Sequence, residues 1–506
     1  MAFGLSGNAA SSSEPSPRGS NEKKHPIGNE KSVLAEGGAD IETGSTGEGL
    51  SRDLHGRHLQ FIAIGAALGT GLFLGIGSTL ANAGPGSLLI AFLFVGFIVY
   101  SVMVALGEIA SFLPVAGSFT VYAGRFVDPT LGFSMGWIYW FSWVITFGLE
   151  LTAAGLIIQY WDKNLSIGIW IAVFWFLFTA ANFLPIRWFG EVEMYLSSIK
   201  VVTVVGFVIF SICVNAGVGS TGQFVAFWAT LITAGFSFQG TELVAVGAGE
   251  TANPRKTIPS AIRWTFWGIF SLFIATVFFV GINVPYTDER LSSDKKDASA
   301  SPLVLVAVRA GIRVLPDIIN AVLLTAVLSA ANSDLYSSSR ILIGLAEDGH
   351  APKIFKRTNK WGTPYFSVAF CCLFGFLGFL NLSQNGATVF NWLLNITSVA
   401  GFITWSLINV CHIRFMKALK AQGIDRSTLP YAAPLQPYLS WFGLFFNVLI
   451  IITSGFTVFM KWNTSDFFAA YVSVLIFLVF YVVHKLVYRT KVVPLMEVDL
   501  QKGRSE

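Results

Sequence analysis

The stretch AIGAALGTGLFLGIG, residues 63–77, decides how this chain is read. It is apolar enough to lie in a bilayer, yet it carries Gly65, Gly69, Gly71, Gly75 and Gly77. Glycine weakens a helix, and a weakened helix frees backbone groups that lipid cannot satisfy. Close packing through small residues accounts for Gly65 or Gly77. It accounts poorly for the dense Gly69-Thr70-Gly71 cluster at mid-membrane. A second such stretch, TAGFSFQGTELVAVGAGE at 233–250, holds Gly235, Gly240, Gly247 and Gly249.

Around these breaks the chain reads as a polytopic membrane protein. Of 506 residues, 54% are hydrophobic and only 12% charged, and the mean hydropathy is +0.63. A soluble domain holds about a quarter charged residues. Twelve apolar spans can be drawn, at roughly 59–81, 86–113, 131–161, 166–185, 195–215, 224–247, 262–285, 315–344, 364–383, 387–412, 437–461 and 466–488. An even count puts both termini on one side. Basic residues crowd the loops on that side, Arg125, Arg255, Lys256, Lys353, Lys356 and Arg414 among them, against Lys163, Arg290, Lys295, Lys296 and Lys461 opposite. The bias predicts cytoplasmic termini. The net charge of +4 gives nucleic-acid binding no support. Cys213, Cys371, Cys372 and Cys411 all fall in apolar runs and read as buried free thiols.

The broken spans are the first and the sixth. That spacing predicts two five-helix repeats of inverted topology, about 59–215 and 224–412, with a substrate site between the breaks. Two extra helices follow, at about 437–488. Residues 1–50 read as a disordered cytoplasmic tail without a cleavable signal peptide, and 491–506 as a short cytoplasmic tail. Tail lysines are candidate ubiquitylation sites. Asn164, Asn381 and Asn463 begin glycosylation sequons in loops too short and too close to the membrane to be used.

Several segments resemble one family. HLQFIAIGAALGTGLFLGIGS (58–78), GEIASFLPVAGSF (107–119), FSFQGTELVAVGAGETANPRKTIPSAIR (236–263) and LSAANSDLYSSSRILIGLAEDGHAPKIF (328–355) look like fungal amino-acid permeases of the amino acid–polyamine–organocation superfamily. YWFSWVITFGLEL and FNWLLNITSVAGF (390–402), which contains Thr397, most resemble the basic amino-acid permeases among them. The resemblance implies a LeuT-like all-α membrane transporter over residues 51–490, driven by a proton gradient and using no cofactor. It also implies a plasma-membrane location, in a lipid bilayer.

An α-amino acid brings a carboxylate and an ammonium, and both need fixed dipoles in place of water. Unwound backbone at Gly69-Thr70-Gly71, with the Thr70 hydroxyl, suits the carboxylate, as does the N-terminal end of the helix that restarts there. Carbonyls near Phe236, Ser237 and Gln239, and Ala67 on the matching edge, suit the ammonium. Phe236 and Phe238 either cover the site and stack on a guanidinium or simply pack.

Glu150 lies inside YWFSWVITFGLELTAAGLIIQYW (139–161), a span about 34 Å long at roughly 1.5 Å per residue. An intramembrane carboxylate costs at least roughly 2.5 kcal/mol and marks function. Three readings stay open: contact with a basic substrate's side chain, carriage of the coupled proton, or a bridge to Lys200. Ser142 and Thr146 extend its polar stripe. Glu242, just past the second break, either senses protons or gates, or caps its half-helix.

Lys200 lies inside span five. Sodium-coupled members of this fold hold a cation between helices one, five and eight, and the resemblance puts Lys200 there, beside Ser329, Asn332 and Ser333. Snorkelling toward the cytoplasmic face is its alternative. No carboxylate-rich sodium cage is visible in the sequence, which favours proton coupling. Glu108 and Glu250 are expected to pair with loop arginines. Together these features predict a proton-coupled importer of basic amino acids, arginine or lysine. The alternatives are a broader or neutral permease, or an amino-acid receptor that moves nothing. An enzyme lacks support, since no span holds a metal-ligand pair or a nucleophile beside a base.

Overall fold

A computed structural model describes residues 63, 65–115, 118–162, 164–184, 193, 195–205, 207, 224–246, 254–292, 301–382, 386–460 and 462–502. Among them every regular element is helical. The N-terminal tail, Glu250, Cys213, Lys163, Lys295, Lys296 and Lys461 lie outside the described residues.

Among the described residues, six helices are long and apolar enough to cross a membrane. The first, Gly65–Phe112, runs for 48 residues. At about 1.5 Å per residue it would be more than twice the apolar thickness of a bilayer. It turns at Gly84, whose φ of 76° and ψ of 168° suit glycine alone, and Pro85 opens the next helix. Two apolar spans are thus joined by a tight turn, as the sequence predicts at 82–85. The part before the turn is itself interrupted. Helix stops at Ala67, bends at Leu68 and Gly69, and resumes as a wide helical turn at Gly71–Gly75 that leads into α1, Ile76–Phe112.

The elements that position the site follow in order. They are α2 (Ser118–Phe126), α3 (Pro129–Ile158), α4 (Ile167–Asn182), α5 (Tyr195–Val205), α6 (Phe224–Phe238), α7 (Leu243–Val246) and α8 (Pro254–Asn283). After them come α9 (Leu315–Glu347), α10 (Tyr365–Phe374), α11 (Gly386–Ala421), α12 (Tyr438–Thr453) and α13 (Thr464–Tyr488). The sixth span is broken as predicted: α6 ends at Phe238, and Gln239–Glu242 form a turn before α7.

Helix α3 sits at the centre. It packs on α9, α11, α2 and α13 and is buried nearly all round, while α13 turns most of its surface outward. An apolar outer face needs no polar complement where lipid is the solvent. Asp128 starts α3, accepting from Thr130 N at 2.8 Å and from Thr490 Oγ1 at 2.6 Å, with Lys485 beside it. Burial raises its carboxyl, but Lys485 and Thr490 outweigh that and hold it below the usual range. Residues 491–502 do not hang free as a tail. Val498 and Leu500 are buried, and Gln422 Nε2 donates to the Val498 carbonyl at 2.8 Å. Glu108, fully buried, takes a two-pronged bond from Arg426 at 2.6 and 2.7 Å and a third from Ala433 N. That is the loop arginine expected for it. Asn463 caps α13 by accepting from Ser465 N at 2.9 Å.

Candidate functional site

The two breaks touch. Gly240, with φ of 99°, lies so close to Ala66 that a Cβ there would stand 3.1 Å from the Ala66 Cβ. Gly71 faces Phe236 and Ser237 across the same junction. Bulk at either point would hold the broken helices apart, which is the tertiary reason for glycine there.

Between the breaks lies a cavity. Its lining comes from Ala66, Ala67, Gly69 and Gly71 of the first break and Phe236, Ser237 and Gln239 of the second. Helix α3 adds Trp143, Thr146 and Glu150, and α9 adds Asp334. Residues from four spans therefore converge on one cavity.

Glu150 is 2% exposed. Its Oε1 accepts from the Thr70 hydroxyl at 2.8 Å and faces the Thr70 N–H at 3.4 Å. The N-terminal end of the restarted helix, expected to meet a ligand carboxylate, meets this side-chain carboxylate instead. The Thr70 hydroxyl is accordingly engaged by Glu150. Glu150 Oε2 is buried with no hydrogen-bond partner among the described residues.

Ser142 and Thr397 lie behind the lining. Gln239 Nε2 donates to Ser142 Oγ at 2.5 Å, and Ser142 Oγ donates to the Thr397 carbonyl at 3.3 Å. The Thr397 hydroxyl returns to the Leu394 carbonyl at 3.0 Å. This chain fixes Gln239 and leaves its Oε1 buried without a partner among the described residues. Thr146 donates to the Ser142 carbonyl at 2.9 Å.

Phe236 lines the cavity, but Phe238 does not. Phe238 is fully buried against Phe92, Phe270 and Phe273, with the Phe273 ring 4.8 Å away. Successive helical residues point about 100° apart, so two phenylalanines two apart face different ways. Glu242 also stands outside the cavity. Gly240 N, Tyr139 Oη and Trp405 Nε1 occupy both its oxygens at 3.2–3.3 Å, the geometry of a cap on the second break.

Lys200 does not snorkel. It is fully buried and donates to the Gly65 carbonyl at 2.6 Å, which ties α5 to the stretch just before the first break. Nor does it bridge directly to Glu150, which is held by Thr70. Glu193 lies against Gly65 as well, and Asp334 lines the cavity with Glu150. Among the described residues no three of His, Cys, Asp or Glu converge closely enough to hold a metal ion.

Two of these acids escaped sequence reasoning. Glu193 is buried, and Ser329 Oγ and Ser197 Oγ donate to its Oε1 at 2.5 and 3.2 Å, with Ser333 close by. Its signal was the seven-residue spacing to Lys200, two helical turns on one face, but the hydropathy span begins at 195. Asp334 lies well inside span eight and satisfies the same rule that singles out Glu150. Asn332, expected near Lys200, accepts instead from Asn182 Nδ2 of α4 at 2.8 Å.

The chain is similar in sequence to known proteins. The family model described as amino acid permease matches residues 58–495. The basic amino-acid permease of Saccharomyces cerevisiae is 42% identical over 485 residues, 90% of this chain and 85% of that one. A lysine/arginine permease of Candida albicans is 44% identical over 457 residues, 86% of this chain and 80% of its own. The lysine-specific permease of S. cerevisiae is 41% identical over 483 residues, 90% and 79% of the two chains.

Proposed function

The chain belongs to the amino acid permease family, and from that premise we propose that it is a proton-coupled importer of basic amino acids. Its twelve spans form two inverted five-helix repeats and two added helices over residues 51–490. Both termini face the cytoplasm of a fungal cell, and the protein works in the plasma membrane by alternating access.

One observation carries the substrate reading: Glu150 lies in the cavity between the broken helices with one oxygen held by Thr70 and the other unpartnered. A buried charge needs a counter-charge or hydrogen bonds, and the guanidinium or ammonium of a basic amino acid brings both. The backbone of the two breaks receives the amino-acid end, with Gly69 and Gly71 toward the carboxylate and Ala67, Ser237 and Gln239 toward the ammonium. The names of the relatives, basic amino-acid and lysine/arginine permeases, point the same way. Proton coupling draws support from Lys200. It is a fully buried cation whose ammonium is held by the Gly65 carbonyl beside the first break, and a buried ammonium that can give up its proton suits a proton carrier.

The test is uptake of radiolabelled arginine into vesicles containing the purified chain, with and without an imposed proton gradient. Each other amino acid is added as competitor. Gradient-driven accumulation blocked by arginine and lysine supports the proposal. Binding without accumulation would make the protein a receptor, and equal competition by neutral amino acids would remove the basic specificity.

A further inference from the structure

Asp334 has no place in the function as stated so far. It lies on α9, 2% exposed, some 19 residues from one end of that helix and 13 from the other. Both distances exceed about 19 Å at roughly 1.5 Å per residue, so the carboxylate sits deep in the membrane. It lines the same cavity as Glu150. Its Oδ2, like Glu150 Oε2, is buried without a hydrogen-bond partner among the described residues.

The polar groups of the residues that line this cavity are unevenly supplied. Glu150 Oε2, Asp334 Oδ2 and Gln239 Oε1 are three acceptors without donors, while Trp143 Nε1 is one donor without an acceptor. Lys200, the nearby cation, spends its ammonium on the Gly65 carbonyl. Glu193 Oε2 is also buried without a partner among the described residues, but Glu193 does not line the cavity. A ligand that satisfies the lining must be rich in donors, poor in acceptors and positive. A guanidinium has five N–H donors in one rigid plane and no acceptor, whereas an ammonium is a point charge with three. Two carboxylates presented from two different helices suit the planar fork, which each can grip along a separate edge.

We propose that Asp334 is a second substrate-contacting residue, which with Glu150 forms a two-carboxylate clamp on the side-chain cation and sets a preference for guanidinium over ammonium. The clamp rests on the basic-substrate reading above and names its specificity determinant. It spans α3 and α9, so closing on a substrate also draws these two packed helices onto one ligand.

The experiment measures binding of arginine, lysine and citrulline to the purified full-length chain, as wild type, Asp334→Asn and Asp334→Glu. Melting temperatures serve as the folding control. Citrulline has the length of arginine without the charge. In Asp334→Asn arginine affinity falls by roughly tenfold to a hundredfold, the value of one charge-assisted hydrogen bond. Citrulline changes by less than about threefold, and the arginine-over-lysine preference shrinks. Equal losses for arginine and citrulline, or no loss for arginine, overturn the clamp. Should Asp334→Asn fail to fold, Asp334→Glu decides. It keeps arginine favoured over citrulline but changes the arginine-to-lysine ratio, and an unchanged ratio overturns the proposal. Wild type that binds citrulline as well as arginine removes the basic-substrate reading and the clamp together. Wild type that prefers arginine, with Asp334→Asn preferring it equally, removes the clamp alone.

Discussion

Adding one methyl group at Gly71 tests whether the touching breaks are the working heart of the protein. In Gly71→Ala the new Cβ would stand 2.6 Å from Ser237 Oγ, 2.8 Å from Phe236 Cδ1 and 2.9 Å from Ser237 Cα, where ordinary contact begins at 3.4 Å. The hydroxyl can swing away from its bond to the Thr233 carbonyl, and the ring can tilt. The Ser237 Cα cannot move without moving the second break, so the junction must open by about half an ångström. Overpacking of this kind costs about 1–3 kcal/mol, or roughly 5- to 150-fold in an equilibrium. The cost falls on the arrangement in which both breaks line the cavity, so it appears in substrate affinity. Gly69→Ala is the internal control. Its Cβ would meet Glu150 Oε1 at 3.1 Å and the Ala330 Cβ at 3.5 Å, and the long Glu150 side chain can give by a few tenths of an ångström. Arginine binding and uptake in vesicles, corrected for the amount of protein inserted, should fall much further in Gly71→Ala than in Gly69→Ala. A Gly71→Ala protein that binds and transports like wild type, or one less impaired than Gly69→Ala, would refute the reasoning.

Three further outcomes follow from the polar contacts. Glu150→Gln keeps the shape of the side chain but removes its charge, so arginine affinity drops by roughly 10- to 150-fold while citrulline affinity falls far less; binding to the purified variant checks this, and parallel losses count against side-chain contact. Lys200→Met removes the buried ammonium that the Gly65 carbonyl holds, and arginine accumulation should lose its sensitivity to a protonophore while exchange of internal for external arginine persists; retained protonophore-sensitive accumulation makes Lys200 a bystander. Arg426→Ala strips the fully buried Glu108 of its two-pronged partner, leaving His412 Nε2 at 3.3 Å and Ala433 N. Roughly 3 kcal/mol of stability should go with it, read as a lower melting temperature in detergent, and an unshifted melting temperature would mean that solvent already screens the pair.

Much of this architecture is legible along the chain because lipid makes it so. With no water to satisfy the backbone, each apolar run must be helical, and a run that cannot stay helical must face a cavity. Hydropathy therefore located the spans, glycine density located the breaks at Gly69–Gly71 and Gln239–Glu242, and the cost of a buried carboxylate exposed Glu150. Two of the four family motifs, at 58–78 and 236–263, contain those breaks. What the sequence did not carry was the rotation of each helix about its axis. In a helix with apolar residues all round, no stripe tells which face looks inward. Only packing decided that Phe236 faces the cavity and Phe238 the core, or that Asn332 meets Asn182 while Ser329 meets Glu193. The same holds for contacts that join remote positions. Thr70 finds Glu150 eighty residues away, and Ser142 links Gln239 to Thr397 across three spans. Asp334 belongs with these: its depth was written in the sequence, but that it shares a cavity with Glu150 follows from how α9 lies against α3.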